Sequence, residues 1–494
     1  MQTTPSTLAN VAATFRASLP VDAMVAVFRI DALDRIGMPV VQAALIQADG
    51  ESVMGYGYGA SETEASVGAL GELCEEVRAG AFVAGAAIER ASHAELARRL
   101  GPTAVADPLT LCLPAGSPYD PDMILSWVEG HRLGHDGPVM VPLDWVAAYA
   151  SQLSNPPDLI TPITNGLGAG LDLAHAIAHG VMELLQRDGN VTSYRALDQG
   201  VVIALDDVRD PEVPALIERL RGLGIDVTVK LATTEFGLTN LYVVGDDRGT
   251  PLVPIQITAC GEACHPDRER ALRKALLEFI GSRARKAATH GPIDALRAVM
   301  PTDYAERQIA CAMVEPEEPR ALRGMADWIA SDASVLRGLL SNSVFAHRSD
   351  VPFSSLPTTA ADATTDAADR LQLLAQRLAR EQLEILFVDC SAPGSPVNVT
   401  KAIVPGLESE TMSYRRIGWR GVQRLRARRD QLILDAPRVG ALRVRLRPQD
   451  EARAGGPAWF DAELADRLAE PIYPLYREPG PFSAQLLRDG KRSA

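Results

Sequence analysis

The sequence predicts a mixed α+β (α/β-type) fold of interleaved β-sheets with flanking helices, and it argues against both a P-loop and a Rossmann architecture. Three observations lead there. Short apolar runs of strand length recur between Val25 and Cys260, three longer stretches carry apolar residues at helical spacing together with carboxylates, and glycine-bearing turns precede those stretches. No GxxxxGK[ST] occurs, and Gly55-Tyr-Gly-Tyr-Gly59 lacks the GxGxxG spacing of a dinucleotide fold.

The elements follow in order. The runs MVAVFRI and VVQAALIQ, between Val25 and Tyr58, read as strands. A helix is expected from Glu62 to Ala79, with Ser61 as its N-cap. The turn Thr164-Asn165-Gly166-Leu167-Gly168-Ala169-Gly170 leads into a second helix, Asp172 to about Arg187. Further strands are expected at VVIALDD, DVTVKLATT, NLYVVGDD and VPIQITAC; a turn at Gly261 to Pro266 then opens a third helix, Asp267 to about Lys286. Residues 356–369 read as loop and lead into a helix near 370–384, followed by strands at ILFVDCS and VTKAIVPG. The final PIYPLYREPGPF is too rich in proline for a helix and is expected to lie extended or as a flexible tail. The expected division is an N-terminal segment 1–20, an interleaved domain 21–450 with subdomains near 21–150, 151–300 and 301–450, and a C-terminal tail 451–494.

Composition narrows the function classes. A chain of 494 residues with 47% apolar content buries a sizeable core. Its net charge of −14 argues against nucleic acid as a partner, so an anionic ligand must meet a local basic site or a bound cation. Six cysteines form neither a disulfide framework nor a repeated CxxC, which suits a reducing cytoplasm. The first twenty residues lack a signal-peptide pattern, and no apolar run is long enough to span a membrane. A cytoplasmic location is expected.

Candidate chemistry sits on the three helices. Glu72 and Glu75, three residues apart, share one helical face with Glu76 beside them; such a pair can hold Mg²⁺ or form a solvated acidic surface. His175, His179, Glu183 and Gln186 form a stripe that can hold a metal or face solvent. Arg187 and Asp188 suit an ion pair or a phosphate contact. Lys274 and Glu278 are spaced for helix pairing, with Arg283 and Arg285 beyond them, and Arg283 can clamp a phosphate. The Asn165–Gly170 turn can bring backbone N–H groups to a phosphate or be only a turn. Cys260 and Cys264 read as buried thiols. No nucleophile motif is present.

Taken together, three blocks resemble the signatures of the YcaO family: GYGYGASETEASVGALGELCEE, TNGLGAGLDLAHAIAHGVMELLQRDG and GEACHPDRERALRKALLEFIGSR. They stand in the family's order, and FVDCSAPGSPVNVTKAIVPGLE with YRRIG resembles its C-terminal strand region, so the likeness spans roughly residues 20 to 430. The resemblance implies a YcaO-like fold whose helices carry an ATP and Mg²⁺ site. Glu72, Glu75 and Glu183 match metal-binding carboxylates; Asn165, Gln186, Arg187, Glu278 and Arg283 join them as ATP-site positions. A bound cation is what lets carboxylates accept ATP. The implied reaction begins with a nucleophile adding to a peptide amide carbonyl. ATP then phosphorylates the resulting oxygen, which leaves as phosphate, giving an azoline from a side-chain nucleophile or a thioamide from sulfide. No individual catalytic residue is assigned.

Departures from the pattern stand at Tyr58 (commonly Lys), Gly68 (Ser), Glu76 (Arg), His175 (Glu), Gln186 (Glu) and Gly281 (Gln). They imply altered metal geometry, another nucleotide, or a scaffold that binds peptide or partner without turnover. An auxiliary role in sulfur transfer is a third reading. The expected partners are a precursor peptide, a separate leader-binding E1-like or TfuA-like protein, and a second copy in a homodimer. The arginines between Arg415 and Arg447 can receive an acidic leader peptide or form a solvated basic face.

Overall fold

The structure is a computed structural model, and it describes residues 5–20, 23–46, 52–311, 319–360, 366–408, 415–476 and 478–488. It has the mixed α+β architecture expected. Two compact units are each assembled from non-contiguous stretches: Met1–Cys74, Leu197–Ala361 and Glu470–Ala494 in the first, Glu75–Ala196 and Asp362–Ala469 in the second. Among the described residues, no helix is long and apolar enough to cross a membrane.

In the first unit, strands Met24–Arg29, Val40–Ile46 and Ser52–Tyr58 form an antiparallel sheet, with Val27 opposite Ala43 and Ala43 opposite Gly55. The helix Glu62–Gly85 begins where expected: Ser61 Oγ accepts the Glu64 N–H, and Glu64 Oε2 accepts the Ala60 N–H. The alternation of glycine and tyrosine in the third strand has a packing cause. Cβ atoms at Gly55 and Gly57 would lie 2.3 Å from Ala69 O and 1.8 Å from Ala65 O, so only glycine lets this strand face meet the helix. The two-residue period sends Tyr56 and Tyr58 to the opposite face.

The same unit holds a five-stranded sheet ordered Cys260–His265, Thr239–Asp247, Ile225–Thr233, Val201–Ala204 and Ser349–Pro352, the last pair parallel. The helix Arg268–His290 starts at Asp267, whose side chain accepts the Glu269 N–H, and its Ala271, Leu272, Ala275, Leu276 and Phe279 enter the core. One strand assignment is corrected. In VPIQITAC, Pro254–Ile257 forms a 3₁₀ turn, with Pro254 near its start and Gln256 Oε1 accepting the Val253 N–H. The neighbouring strand is Cys260–His265, where a turn was expected, because its backbone pairs in register with Thr239–Asp247.

The C-terminal expectation is corrected as well. Glu470–Leu475 is a 3₁₀ helix containing Pro474, and Ser483–Arg488 is an α-helix. Ile472, Phe482 and Leu486 are buried in the apolar clusters of the first unit, so hydrophobic burial fixes a segment whose prolines suggested an extended tail.

In the second unit, the sheet runs Glu89–Ser92, Ile124–Arg132, Leu386–Asp389, Asn398–Ile403 and Leu167–Gly170, with Pro138–Pro142 also paired to Ile124–Arg132. The helix Leu173–Ala196 is longer than expected, and its second half is buried from Leu184 to Gln186 and from Asp188 to Thr192. The helix near 370–384 is Ala367–Arg380, capped by Asp366.

Candidate functional site

Three of the predicted carboxylates share one local device. Glu72 Oε2 accepts the backbone N–H of Tyr56 in the first unit. In the second, Glu75 Oε1 accepts the Ala169 N–H at 2.8 Å and Glu183 Oε2 the Gly166 N–H at 2.9 Å. Each carboxylate is thus oriented by a charge-assisted hydrogen bond from a backbone donor. Gly166 is where the turn must be glycine: its φ is +89°, and an added Cβ would lie 2.4 Å from Ala402 O. Asn165 beside it is buried, and Arg187 lies 3.5 Å from Glu183 one turn along the helix.

The remaining predicted residues divide sharply. Glu278 is half-buried and Tyr58 donates its hydroxyl to Glu278 Oε2 at 2.8 Å. Arg283 is fully buried. Its Nε and one terminal nitrogen bind both oxygens of Asp34 at 2.8 and 3.0 Å, and it meets Asp247 at 2.8 Å. Burial alone would raise the Asp247 carboxyl; Arg35 and Arg283 instead hold it below the ordinary carboxylate range. The geometry of Arg283 is that of an internal counter-ion, not of the phosphate clamp expected from its position. Gln186 is buried, whereas His175 and His179 lie exposed on their helix, so the expected stripe divides between core and surface. Among the described residues no group of three or more His, Cys, Asp or Glu side chains is arranged to hold a metal.

The arginine-rich stretch is corrected too. Arg416 and Arg420 are buried, and Arg420 and Arg424 converge on buried Asp188, whose own burial is outweighed by them so that its carboxyl titrates low. Arg438, Arg443 and Arg447 pair with Asp461, Glu451 and Asp450. Arg416 donates to the carbonyls of Leu111 and Cys112, and the others neutralise acids of their own unit instead of forming a solvated basic face. Cys264 is buried as expected, and Cys260 is partly so.

Two residues escaped the sequence reading of the site, Arg285 and Glu478. Arg285 lies 3.4 Å from Glu478 and sits over the ring of Tyr56, 5.8 Å from its centroid. The only signal for Arg285 was its place beyond Arg283 on the helix; for Glu478 there was none.

Comparison with known proteins then decides the family. Residues 56–408 match the family described as "YcaO cyclodehydratase, ATP-ad Mg2+-binding". The chain belongs to the YcaO family. An uncharacterized protein of Methanothermobacter thermautotrophicus is 30% identical over 51% of this chain and 63% of its own length. An uncharacterized protein in the tfuA 3′ region of Rhizobium leguminosarum bv. trifolii is 24% identical over 61% of this chain and 66% of its own. The matches therefore span somewhat under two thirds of these relatives. YcaO from Methanopyrus kandleri bound with AMPPCP and Mg²⁺ has a similar fold, with a TM-score of 0.57 and 20% identity over 84% of this chain and 94% of that one. A heterocyclase in complex with substrate and cofactor matches at TM-score 0.57 and 18% identity over 82% of this chain and 52% of that one. In this YcaO chain Glu72, Glu75 and Glu183 are each oriented by a backbone N–H, while Arg283 is committed to the interior.

Proposed function

We propose that this YcaO protein is an ATP- and Mg²⁺-dependent enzyme that activates a backbone amide of a ribosomally made peptide by O-phosphorylation, yielding an azoline or a thioamide. The observation that carries the reading is the orientation of Glu72, Glu75 and Glu183 by backbone N–H groups. Glu75 and Glu183, both in the second unit, supply the hard carboxylate oxygens that suit magnesium, which commonly takes only one or two carboxylates plus substrate phosphates, so a complete protein cage is not required. When bound, the ion neutralises phosphate charge. The chain's own residues orient: Gly166 fixes Glu183, Ala169 fixes Glu75, and Tyr58 fixes Glu278.

The relative from the tfuA 3′ region supports a TfuA-like partner and the thioamide product, and the heterocyclase of similar fold supports the azoline. A separate E1-like leader-binding protein is the alternative partner, and the protein is proposed to act in the cytoplasm as a homodimer. A second reading, a scaffold that binds peptide without turnover, is favoured by the burial of Arg283 and Gln186.

Calorimetric titration with ATP and Mg²⁺, beside a Glu72→Ala/Glu183→Ala variant, separates the two. Saturable binding lost in the variant supports the enzyme. A folded chain that binds no nucleotide supports the scaffold.

A further inference from the structure

The helix Arg268–His290 carries Arg283 and Arg285 shortly after Glu278, and their surroundings differ. Arg283 has no exposed surface and both its neighbouring carboxylates are internal. Arg285 keeps 40% of its side chain exposed, although its Nε is itself buried without a hydrogen-bond partner among the described residues. It lies over Tyr56, the residue whose N–H orients Glu72, and both Glu72 and Glu278 act on its charge. Among the described residues it pairs with Glu478, at 3.4 Å through a single terminal nitrogen.

Glu478 is itself held from several sides. His290 Nε2 is 3.5 Å from it, and the buried ammonium of Lys286, which has no hydrogen-bond partner among the described residues, adds positive charge nearby. One carboxylate thus faces Arg285 and the His290 ring, with Lys286 nearby, so Arg285 is not its only neighbouring donor. A guanidinium tethered through one terminal nitrogen, with part of its side chain exposed, is pre-organised for a second oxyanion.

We propose that Arg285, held in place by Glu478, is the cation through which this helix contacts a phosphate of the bound nucleotide. Glu478 is then a positioning residue, and the C-terminal segment contributes to nucleotide binding through it. The inference rests on the ATP reading above.

The test is calorimetric binding of Mg·ATP and of adenosine to the full chain. Arg285→Met is expected to weaken ATP by about tenfold to a hundredfold, the worth of a charge-assisted contact, with adenosine unchanged. Glu478→Gln is expected to weaken ATP less, again without touching adenosine; a merely structural role would weaken both ligands alike. Should Arg285→Met fail to fold, Arg285→Lys, which keeps charge but loses the fork, is expected to show a smaller loss confined to ATP. Wild-type affinity for ATP in the Arg285 variants, while Glu72→Ala/Glu183→Ala loses it, overturns the role of Arg285 and leaves the nucleotide reading standing. Equal loss of ATP and adenosine also overturns it. A wild-type chain that binds no ATP overturns both.

Discussion

The ring of Tyr58 fills the space beside Gly281: a Cβ added to that glycine would lie 2.7 Å from Tyr58 Cδ1 and 3.2 Å from its Cβ. The same phenol donates to Glu278, three residues earlier on the helix, so the aromatic side chain both occupies a gap and orients a carboxylate. The two departures at 58 and 281 are therefore one coupled arrangement, a bulky residue on the strand matched to an absent side chain on the helix.

Gly281→Ala is expected to destabilise the protein by about 1–3 kcal/mol through overpacking, although alanine in an open helix position gains about 1 kcal/mol over glycine. In a Tyr58→Ala background the same change should become neutral or stabilising. A double-mutant cycle by urea unfolding reads the coupling; additive effects would show that the contact does not matter.

Arg283→Met leaves Asp34 and Asp247 as buried carboxylates without their shared counter-ion and is expected to cost about 3–5 kcal/mol. Its pH dependence has a definite sign. The folded Asp247 carboxyl titrates below its unfolded value, so its contribution is present above the unfolded value, near pH 4, and is lost as pH falls through the lower folded value. The stability gap between wild type and Arg283→Met should therefore be widest near neutral pH and narrow below about pH 4. Unfolding curves across that range check it; a gap that widens in acid would refute the assignment.

Gly166→Ala is expected to cost about 1–3 kcal/mol, because the position is left-handed and the methyl meets Ala402 O. It should also weaken Mg·ATP binding without altering any carboxylate, since the Gly166 N–H is what orients Glu183. Glu183→Gln keeps an acceptor for that N–H and so should stay close to wild type in stability while losing Mg·ATP affinity. Comparing the two variants by unfolding and by titration separates turn geometry from ligand charge.

Much of the fold was legible because its signals are local. The helix at Glu62 begins at Ser61 because an N-cap needs only its next three residues, and the helix at Arg268 shows its apolar stripe in its own sequence. Legibility failed where distant pairing overrode local chemistry. Cys260–His265 is a strand because Thr239–Asp247 supplies its hydrogen bonds, and Glu470–Leu475 is helical because Ile472 is buried with residues far away in sequence.

The sequence by itself determined the mixed α+β class, the family resemblance and which helices carry Glu72, Glu75, Glu183 and Glu278, since periodicity and spacing are properties of contiguous residues. Only the tertiary structure decided which arginine is available to a ligand. Arg283 is closed off by Asp34 and Asp247, 249 and 36 residues away, and Arg285 is held by Glu478, 193 residues on. A guanidinium's role is set by the carboxylates that reach it and the water that does not, and neither is written beside it in the chain.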